Sequence, residues 1–271
     1  MANTDFIKQH PTKPAFEELV WSKPVTKRSA GKLLIVGGNY NGISGPLNAY
    51  SYAEKAGIGV ASVLLPSSLK SIAGKIIEQG DYAPSTPSGS FSKQALAELL
   101  DKANWADAVL LAGDLGRNSE TAVLLESFLA KTPTMCVLTK DAVDYVVSTP
   151  AALNTSADKI CLVCNLSQLQ KYVKNSVKQP VITYEMTQPQ LVAALKELSI
   201  GGKTIVTKHH EYIYTAVDGD VSVTDAKEAA EELWQLKTAS HISVWLAQQP
   251  EKKFQAVTTA VWDSLQTDTS K

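Results

Sequence analysis

The stretch KLLIVGGNYNGISGPLNAYSYAEKAGIG, from Lys32 to Gly59, decides the fold. An apolar, strand-like run ends at Val36, and a helical pattern begins at Pro46 and stops before Gly57, an order typical of a strand followed by a helix. The loop between them is rich in glycine: Gly37, Gly38, Gly42 and Gly45. Such a loop can present bare backbone N–H groups to an anion. The stretch therefore indicates an α/β protein and raises the question of what the loop holds.

The spacing of the glycines separates several interpretations of this loop. A dinucleotide fingerprint needs G-x-G-x-x-G directly after the strand, and the glycines do not supply it. Gly37-x-x-x-x-Gly42 has the glycine spacing of a P-loop, but Ile43–Ser44 stands where Lys-Ser/Thr is required. Two interpretations remain open: a pocket for a polar ligand lined by backbone N–H groups, and a tight strand-to-helix connection without a ligand.

Short apolar runs alternate with helical patterns along most of the chain. Near-continuous apolar runs are typical of parallel strands covered on both faces. The predicted strands are Leu33–Val36, Val60–Leu65, Ala108–Leu111, Met135–Leu138, Ile160–Val163 and Thr204–Thr207. The predicted helices between them are Pro46–Lys55, Ala95–Lys102, Thr121–Ala130, Leu166–Val173 and Gln190–Leu198. The alternation predicts a three-layer, doubly wound α/β fold with a mostly parallel sheet.

The pattern changes in the last part of the chain. EYIYTAVDGDVSVT predicts a hairpin that turns at Asp218–Gly219. Three helices are predicted after it: one that Asp225-x-x-Glu228 would cap, and two over His241–Gln248 and Lys252–Leu265. Near the middle, the segment Asp81–Ser92 is rich in Pro, Ser and Gly and predicts a surface loop.

Composition narrows the classes of partner. The 271 residues include 26 Lys+Arg and 27 Asp+Glu without a basic stripe, which argues against nucleic acid or a membrane surface as the main partner. No apolar run approaches the length of a membrane span, and no signal peptide is visible, so we expect a cytoplasmic protein. The C-x-x-C pair Cys161 and Cys164 could be redox-active or bind a metal, but a buried strand is the favoured interpretation, and no metal site is predicted. We expect one domain over residues 1–271, with residues 1–30 as an extension packed on it.

Several motifs, in order from Gly31 to Asp220, resemble those of a known family. GKLLIVGGNYNGISGPLNAYSYAEKAGIG is similar to a strand ending in Gly-Gly-Ser and a helix opened by Gly-Ala, with Pro46 in place of the alanine. ADAVLLAGDLGRNSET is similar to a Gly-Pro-Gly-Leu-Gly strand exit, CVLTKDAVD to Leu-Asp-Ala-Asp-Ala-Leu, and TIVTKHHEYIYTAVDGD to Val-Leu-Lys-Gly followed by a hairpin. This succession resembles the ADP/ATP-dependent NAD(P)H-hydrate dehydratases, whose fold is ribokinase-like.

The resemblance implies a repair reaction. In that family, ATP or ADP phosphorylates the hydroxyl of hydrated NADH or NADPH, and phosphate then leaves. A Gly-Gly-Thr-Gly-Asp segment at a helix N-terminus supplies the anion hole and the basic aspartate. The implied ligands are therefore ATP or ADP, with Mg²⁺ if the protein is active, and a nucleotide or dinucleotide; a homo-oligomer is also implied. The implied substrate-contacting positions are Gly38, Gly45, Pro46, Asp114, Gly116 and Asn165, and the implied nucleotide-binding positions are Lys208, Thr238 and Ser240.

This chain departs from the family at its functional loops. Thr238 to His241 stand where Gly-Thr-Gly-Asp is expected, or Lys237 stands at the aspartate if the last helix is matched without a gap. The glycines and the carboxylate are absent in either match. His241 could act as a base, although a surface or interface histidine at a helix start is the favoured interpretation. Asp114 adds a negative charge at the Gly-Pro-Gly-Leu-Gly exit, which should weaken pyrophosphate binding, and Asn165 replaces the substrate-contacting histidine.

Three functions follow in order of preference. The first is a catalytically degenerate dehydratase-like protein that retains nucleotide binding or acts through partners. The second is an active NAD(P)H-hydrate dehydratase with a replaced base, and the third is a ribokinase-type small-molecule kinase, which needs the same missing segment. A carboxylate of Asp114, Asp141 or Asp225 beneath the glycine loop would favour the enzymes. A site filled by the helix Asp225–Leu236 would favour the degenerate protein.

Overall fold

The apolar runs form the strands of one sheet in a computed structural model that describes residues 6–73, 80–148, 157–175, 180–227 and 234–266. All six predicted strands are present, and each ends one or two residues beyond its predicted end. The strands are β1 (Ile7–Gln9), β2 (Lys32–Gly37), β3 (Val60–Pro66), β4 (Asp81–Ala83), β5 (Ala108–Gly113), β6 (Met135–Thr139), β7 (Ile160–Asn165), β8 (Thr204–His209), β9 (Tyr212–Val217) and β10 (Asp220–Asp225).

The helices also follow the sequence pattern, with one correction. The predicted helix His241–Gln248 is the second half of a longer helix that the structure describes from Trp234, because no Gly or Pro interrupts this stretch. Asp225 is the last residue of a strand, and residues 228–233, on which the rest of the predicted capped helix falls, lie outside the described residues. The described helices are α1 (Glu17–Trp21), α2 (Ser44–Ala56), α3 (Lys70–Ala73), α4 (Leu96–Trp105), α5 (Ser119–Lys131), α6 (Asp141–Val147), α7 (Leu166–Lys174), α8 (Gln188–Ser199), α9 (Trp234–Gln248) and α10 (Lys253–Leu265).

The sheet is mostly parallel and is covered on both faces. Its order is β1-β10-β9-β8-β7-β6-β5-β2-β3-β4, and among these strands β9 alone runs against its neighbours. One apolar cluster joins the sheet to α4, α5, α6, α7 and α8, and a second joins it to α1, α2, α9 and α10. The predicted three-layer α/β fold is confirmed.

The far edge of the sheet is formed by the hairpin and the N-terminal strand. Asp218 (φ 46°) and Gly219 (φ 89°) form the predicted turn between β9 and β10, and positive φ at both central residues matches the right-handed twist of the strands. β1 pairs in parallel with β10, and the buried side chain of Gln9 donates to Thr224 Oγ1 (2.9 Å) and to the Thr258 carbonyl (2.8 Å). Residues near the N-terminus thus contribute a strand to the same sheet.

The segment Asp81–Ser92 differs from the predicted surface loop. Its first residues form the edge strand β4, and Thr86, Ser90, Phe91 and Ser92 are buried. The segment folds back over the loop after β2, where the N–H of Tyr40 donates to the carbonyl of Gly89 (3.2 Å). It therefore lies against the glycine loop that follows β2.

Candidate functional site

The glycine loop lies where the chain changes direction across the sheet. β2 pairs with β3 on one side and with β5 on the other, so the loops that leave β2 and β5 diverge to opposite sides of the sheet. In doubly wound folds, ligands bind in the crevice at the carboxyl ends of the strands at such a point. Gly38 N donates to the carbonyl of Gly113 (3.1 Å) and Asn39 Nδ2 to the carbonyl of Asp114 (2.5 Å), which join the two loops.

Close packing explains two of the loop glycines. A Cβ on Gly37 would lie 2.5 Å from the carbonyl oxygen of Gly113, and a Cβ on Gly45 would lie 3.0 Å from the carbonyl oxygen of Ala112. The first distance leaves no room for a Cβ, and the second is tighter than ordinary van der Waals contact. Close packing at the β2 and β5 exits therefore accounts for Gly37 and favours glycine at position 45, as the interpretation without a ligand proposed.

The carboxylate of Asp114 occupies the N-terminus of α2. Its Oδ2 accepts hydrogen bonds from Gly45 N (2.6 Å) and Ser44 Oγ (3.3 Å), and its Oδ1 lies 2.6 Å from Lys140 Nζ. Burial raises the pKa of Asp114, but the hydrogen bonds from Lys140 and Gly45 and the charge of Lys140 outweigh it and lower the pKa below its usual value. The position predicted to meet an anionic substrate thus holds an anion of the chain itself.

Both residues of this ion pair have an unusual backbone conformation. Asp114 (φ 56°) and Lys140 (φ 55°) both have left-handed backbone conformations, which non-glycine residues adopt at a cost. They follow the adjacent strands β5 and β6, which brings the two side chains together. Lys140 was not singled out from the sequence, because a lysine next to an aspartate after an apolar run carries no signal of its backbone conformation.

Asp141 is the second carboxylate near the glycine loop, at the carboxyl ends of the strands. Its Oδ2 accepts hydrogen bonds from Leu115 N (2.9 Å) and Gly116 N (3.2 Å), while its Oδ1 is buried and has no hydrogen-bond partner among the described residues. Burial is the main cause that raises the pKa of Asp141, with a contribution from the charge of Asp114, against the lowering effect of the two backbone donors. Gly116, predicted to contact substrate, is held by this carboxylate. Of the three carboxylates considered, Asp114 and Asp141 lie near the glycine loop, whereas Asp225 ends β10, near the other side of the sheet.

Side-chain amides lie at the carboxyl ends of β6 and β7, near the middle of the sheet. Gln235 Nε2, from the first turn of α9, donates to the carbonyl of Val163 (2.7 Å) and to Gln168 Oε1 (3.1 Å). Gln168 Nε2 in turn donates to the carbonyl of Lys140 (2.8 Å) and to Asp144 Oδ2 (3.1 Å). In this network, protein groups bind one another at the carboxyl ends of β6 and β7. It could not be predicted from the sequence, since glutamines near helix starts are common.

Asn165 and Lys208 lie at the ends of β7 and β8 and are paired in register. The Asn165 side chain caps α7: its Oδ1 accepts a hydrogen bond from Gln168 N (2.8 Å), and Gln168 Oε1 accepts one from Asn165 N (3.1 Å). This capping box gives Asn165 a structural task at the position where the resemblance implied a substrate contact. Lys208 is partly buried, and its predicted nucleotide contact stays a prediction.

Thr238, Ser240 and His241 lie inside α9 and are buried, with exposures of 1%, 0% and 5%. Thr238 Oγ1 lies 3.1 Å from Ser264 Oγ, and Ser240 Oγ donates to the carbonyl of Leu236 (2.9 Å). Since only the first-turn N–H groups of a helix lack an internal acceptor, the backbone here offers no donors to a phosphate. The predicted nucleotide contacts of Thr238 and Ser240 stay a prediction. The favoured interpretation of His241 was a surface or interface histidine at a helix start; the structure instead buries it inside α9, so the surface position and the helix start are wrong.

His241 belongs to a polar cluster between α9 and α10. Its Nδ1 lies 3.1 Å from Asp263 Oδ2, which also accepts hydrogen bonds from Trp245 Nε1 (2.9 Å) and Lys23 Nζ (3.3 Å). Burial raises the pKa of Asp263, but these partners outweigh it, His241 first, and lower the pKa to about 2. The His241 Nε2 atom is buried and has no partner among the described residues. As a base, His241 would have to act from within this cluster.

The described parts of the chain contain no group of three or more His, Cys, Asp or Glu side chains that could hold a metal ion. The thiols of Cys136, Cys161 and Cys164 are free and buried, which raises their pKa values and favours the predicted interpretation of the C-x-x-C pair as buried strand. In the same residues, no helix combines the length and the apolar character that crossing a bilayer requires.

Comparison with known proteins first defines the class. No protein-family model matches the chain. A ribokinase-like superfamily protein from Enterococcus faecalis superposes with a TM-score of 0.69 at 15% identity, over 94% of this chain and 86% of that one. The chain therefore has a ribokinase-like fold, as predicted.

Two particular relatives carry the resemblance further. The ADP/ATP-dependent NAD(P)H-hydrate dehydratase from Bacillus subtilis, co-crystallised with ATP and Mg²⁺, superposes with a TM-score of 0.63 at 14% identity, over 92% of this chain and 86% of that one. The bifunctional NAD(P)H-hydrate repair enzyme Nnr from Moorella thermoacetica is 30% identical over 121 residues, which are 44% of this chain and 23% of that enzyme. The match thus spans less than a quarter of the relative's length. The predicted resemblance to the NAD(P)H-hydrate dehydratases is confirmed as a similarity.

Proposed function

We propose that the chain is a catalytically degenerate NAD(P)H-hydrate dehydratase-like protein, which acts by binding a nucleotide or through partner proteins. The observation that carries the proposal is the burial of residues 238–241 inside α9. Phosphoryl transfer needs donors aimed at the moving phosphate and a group that accepts the proton of the attacking hydroxyl. A helix interior supplies no backbone donors, because its N–H groups already bond to carbonyls of the preceding turn. The carboxylate that would accept the proton is also missing from residues 238–241.

The amide network supports the same proposal. Gln235 Nε2 donates to Gln168 Oε1, and Gln168 Nε2 donates to the carbonyl of Lys140, at the carboxyl ends of the strands. Opening this region for a phosphate would separate the buried Gln168 amide from its partners, at a cost of about 1–3 kcal/mol. The network therefore stabilises a closed edge.

A second candidate function is an active dehydratase with a replaced base. Asp114 favours it, because its carboxylate lies beneath the glycine loop, where an enzymatic site would need one. In this candidate, Asp114 accepts the proton in place of the missing aspartate. Its ion pair with Lys140 and its lowered pKa make it a weak base, which is why the degenerate protein is preferred.

Turnover separates the two functions. Purified protein is incubated with hydrated NADPH and either ATP or ADP with Mg²⁺, and the formation of NADPH is followed by its absorbance. We expect no protein-dependent rate. A rate that Asp114→Asn abolishes would establish the second candidate, and a rate that His241→Gln abolishes would place the base in α9. Either result would overturn the proposed degeneracy.

A further inference from the structure

Residues 180–187 form a strap that precedes α8 and passes the carboxyl end of β8. Ile182 is buried in the core, and its carbonyl accepts a hydrogen bond from Gln170 Nε2 (3.2 Å), whereas Tyr184 is 64% exposed. The side chain of Met186 is partly buried against the same core. His209, the last residue of β8, and His210, the first residue of the turn that follows, provide further contacts to the strap.

The contact of His209 with the strap fixes the position of its proton. His209 Nε2 lies 2.8 Å from the carbonyl oxygen of Tyr184, and because a carbonyl only accepts, Nε2 carries the proton of the neutral ring. The Tyr184 ring stands edge-on to the His209 ring, with 5.5 Å between the centroids. Since His209 is 3% exposed, a second proton, on Nδ1, would place a positive charge where little water can reach it.

The imidazole of His210 raises the cost of that charge. The ring centroids of His209 and His210 are 4.0 Å apart, and two imidazolium rings at such a distance repel each other. Burial, first, and the charge of His210 lower the pKa of His209 below its ordinary value of 6.5, against the raising effect of the hydrogen bond to Tyr184. Acid therefore destabilises the arrangement that holds the strap.

Other titratable groups lie on the elements around His209. On the strap, the turn, β9, β10, α7 and α8 they are Glu185, Glu211, Tyr212, Asp225, Lys171, Lys196 and Glu197. Glu211 is paired with Lys227 (3.6 Å) and Lys171 with Asp144 (3.3 Å). Among the described groups, the charge of His210 alone acts on the pKa of His209, so no described carboxylate balances a proton taken up there.

We infer that the two histidines form an acid-sensitive latch, in which neutral His209 holds the strap against the end of β8 and protonation below about pH 6 releases it. In the released state the imidazolium of His209 is hydrated. Because the held state binds fewer protons, the contact has its full stability above about pH 6.5 and loses it as the pH falls. The inference is independent of the proposed function, since it concerns no contact with a nucleotide or a substrate.

Methyl NMR tests the latch, because the chain has three methionines, of which Met186 lies in the strap and Met135 in the central strand β6. In wild type, the Met186 methyl signal should move towards its position in an unfolded chain between about pH 7.5 and about pH 5, while the Met135 signal stays in place. Nitrogen-15 spectra of labelled histidine should show the His209 proton on Nε2 at neutral pH, and His209 should titrate together with the Met186 signal.

Two variants sharpen the test. His209→Gln keeps an amide donor for the Tyr184 carbonyl but does not titrate, so it should reduce the pH response of Met186 at least about fivefold. His10→Gln, at an exposed histidine, is the control and should respond like wild type.

The inference would be overturned by a Met186 signal that stays in place while His209 takes up a proton, or by an undiminished response in His209→Gln. A proton on His209 Nδ1 at neutral pH, or a Met135 signal that moves together with that of Met186, would also contradict it. The Met135 signal at neutral pH shows whether each variant is folded. If His209→Gln is not, His210→Gln takes its place; it removes the neighbouring charge and should weaken the response, and a response equal to that of wild type would reject the latch.

Discussion

Asp114 and Asp263 are two aspartates with different surroundings in the same fold. Both are largely buried and have lowered pKa values, but Asp114 faces the glycine loop and Asp263 joins α10 to α9 and Lys23. The sequence predicted Asp114 as an added charge at the site. It did not predict the partner of either carboxylate, because Lys140, His241 and Trp245 come from other elements and only the packing of helices on the sheet brings them close.

Acid titration tests the contribution of Asp263. A carboxylate whose folded pKa is about 2 stabilises the fold above its unfolded pKa, and this stability is lost as pH falls towards the folded value. Between about pH 5 and pH 2, the free energy of unfolding of wild type should fall by about 2 kcal/mol more than that of Asp263→Asn. Urea unfolding at several pH values measures this difference. Asp101→Asn on the exposed side of α4 is the control, and a similar change in both variants would count against the cluster.

Gly59 and Gly201 differ in why a side chain is unfavourable: the first lacks space for a Cβ, and the second has a left-handed backbone conformation. A Cβ on Gly59 would lie 2.0 Å from the carbonyl oxygen of Lys27, whereas one on Gly201 (φ 88°) would meet nothing within 4 Å. We expect Gly59→Ala to lower the free energy of unfolding by about 3 kcal/mol through overpacking. Gly201→Ala should cost only about 1 kcal/mol, the strain of a left-handed alanine. Equal losses in urea unfolding would show that the Gly59 contact is not a tight one.

At the scale of elements, helix and strand signals were most reliable where the chain offers a local reason. Pro46 near the start of α2 and Gly57 after its end both match the structure within two residues. Before His241, Thr238 and Ser240 are residue types that favour an N-cap. The sequence therefore placed His241 at a helix start, although it lies in the helix interior.

The cap of α7 gives a prediction about Asn165. If its main task is the capping box with Gln168, Asn165→Ala should lower the free energy of unfolding by about 1 kcal/mol. Asn165→Asp keeps an oxygen acceptor at the helix start and should remain close to wild type. Chemical denaturation of the three proteins decides the matter. Wild-type stability in Asn165→Ala would show that the capping box is not the main task of the residue.

At the scale of the whole molecule, the mostly parallel sheet and its cover of helices on both faces were predicted from the succession of apolar runs, whereas the order of the strands was not. Near-continuous apolar strands need helices on both faces, and the right-handed crossovers between parallel strands then leave few topologies. The contents of the carboxyl edge could not be predicted in the same way. They depend on side chains from β5, β6, α7 and α9 that are far apart in sequence and meet only in the finished fold.

Thiol reactivity reports the integrity of this core. Cys136, Cys161 and Cys164 are buried within the sheet and should react with an aromatic disulfide reagent only when the whole molecule unfolds. The rate of labelling in buffer should therefore follow global unfolding, and urea should release all three thiols together. Stoichiometric labelling of a single cysteine under native conditions, well before unfolding, would show a local opening of the sheet.

The account depends most on the helical interior at residues 238–241, and native-state hydrogen exchange measures it directly. We expect these backbone amides to exchange only through global unfolding, with protection equal to that of the central strands β5 and β6, and to be unchanged by ATP with Mg²⁺. Such protection means that the amides bond to helix carbonyls and are not available to a phosphate. Fast exchange at these positions that ATP slows would contradict the account, because it would reveal a loop that closes on a nucleotide.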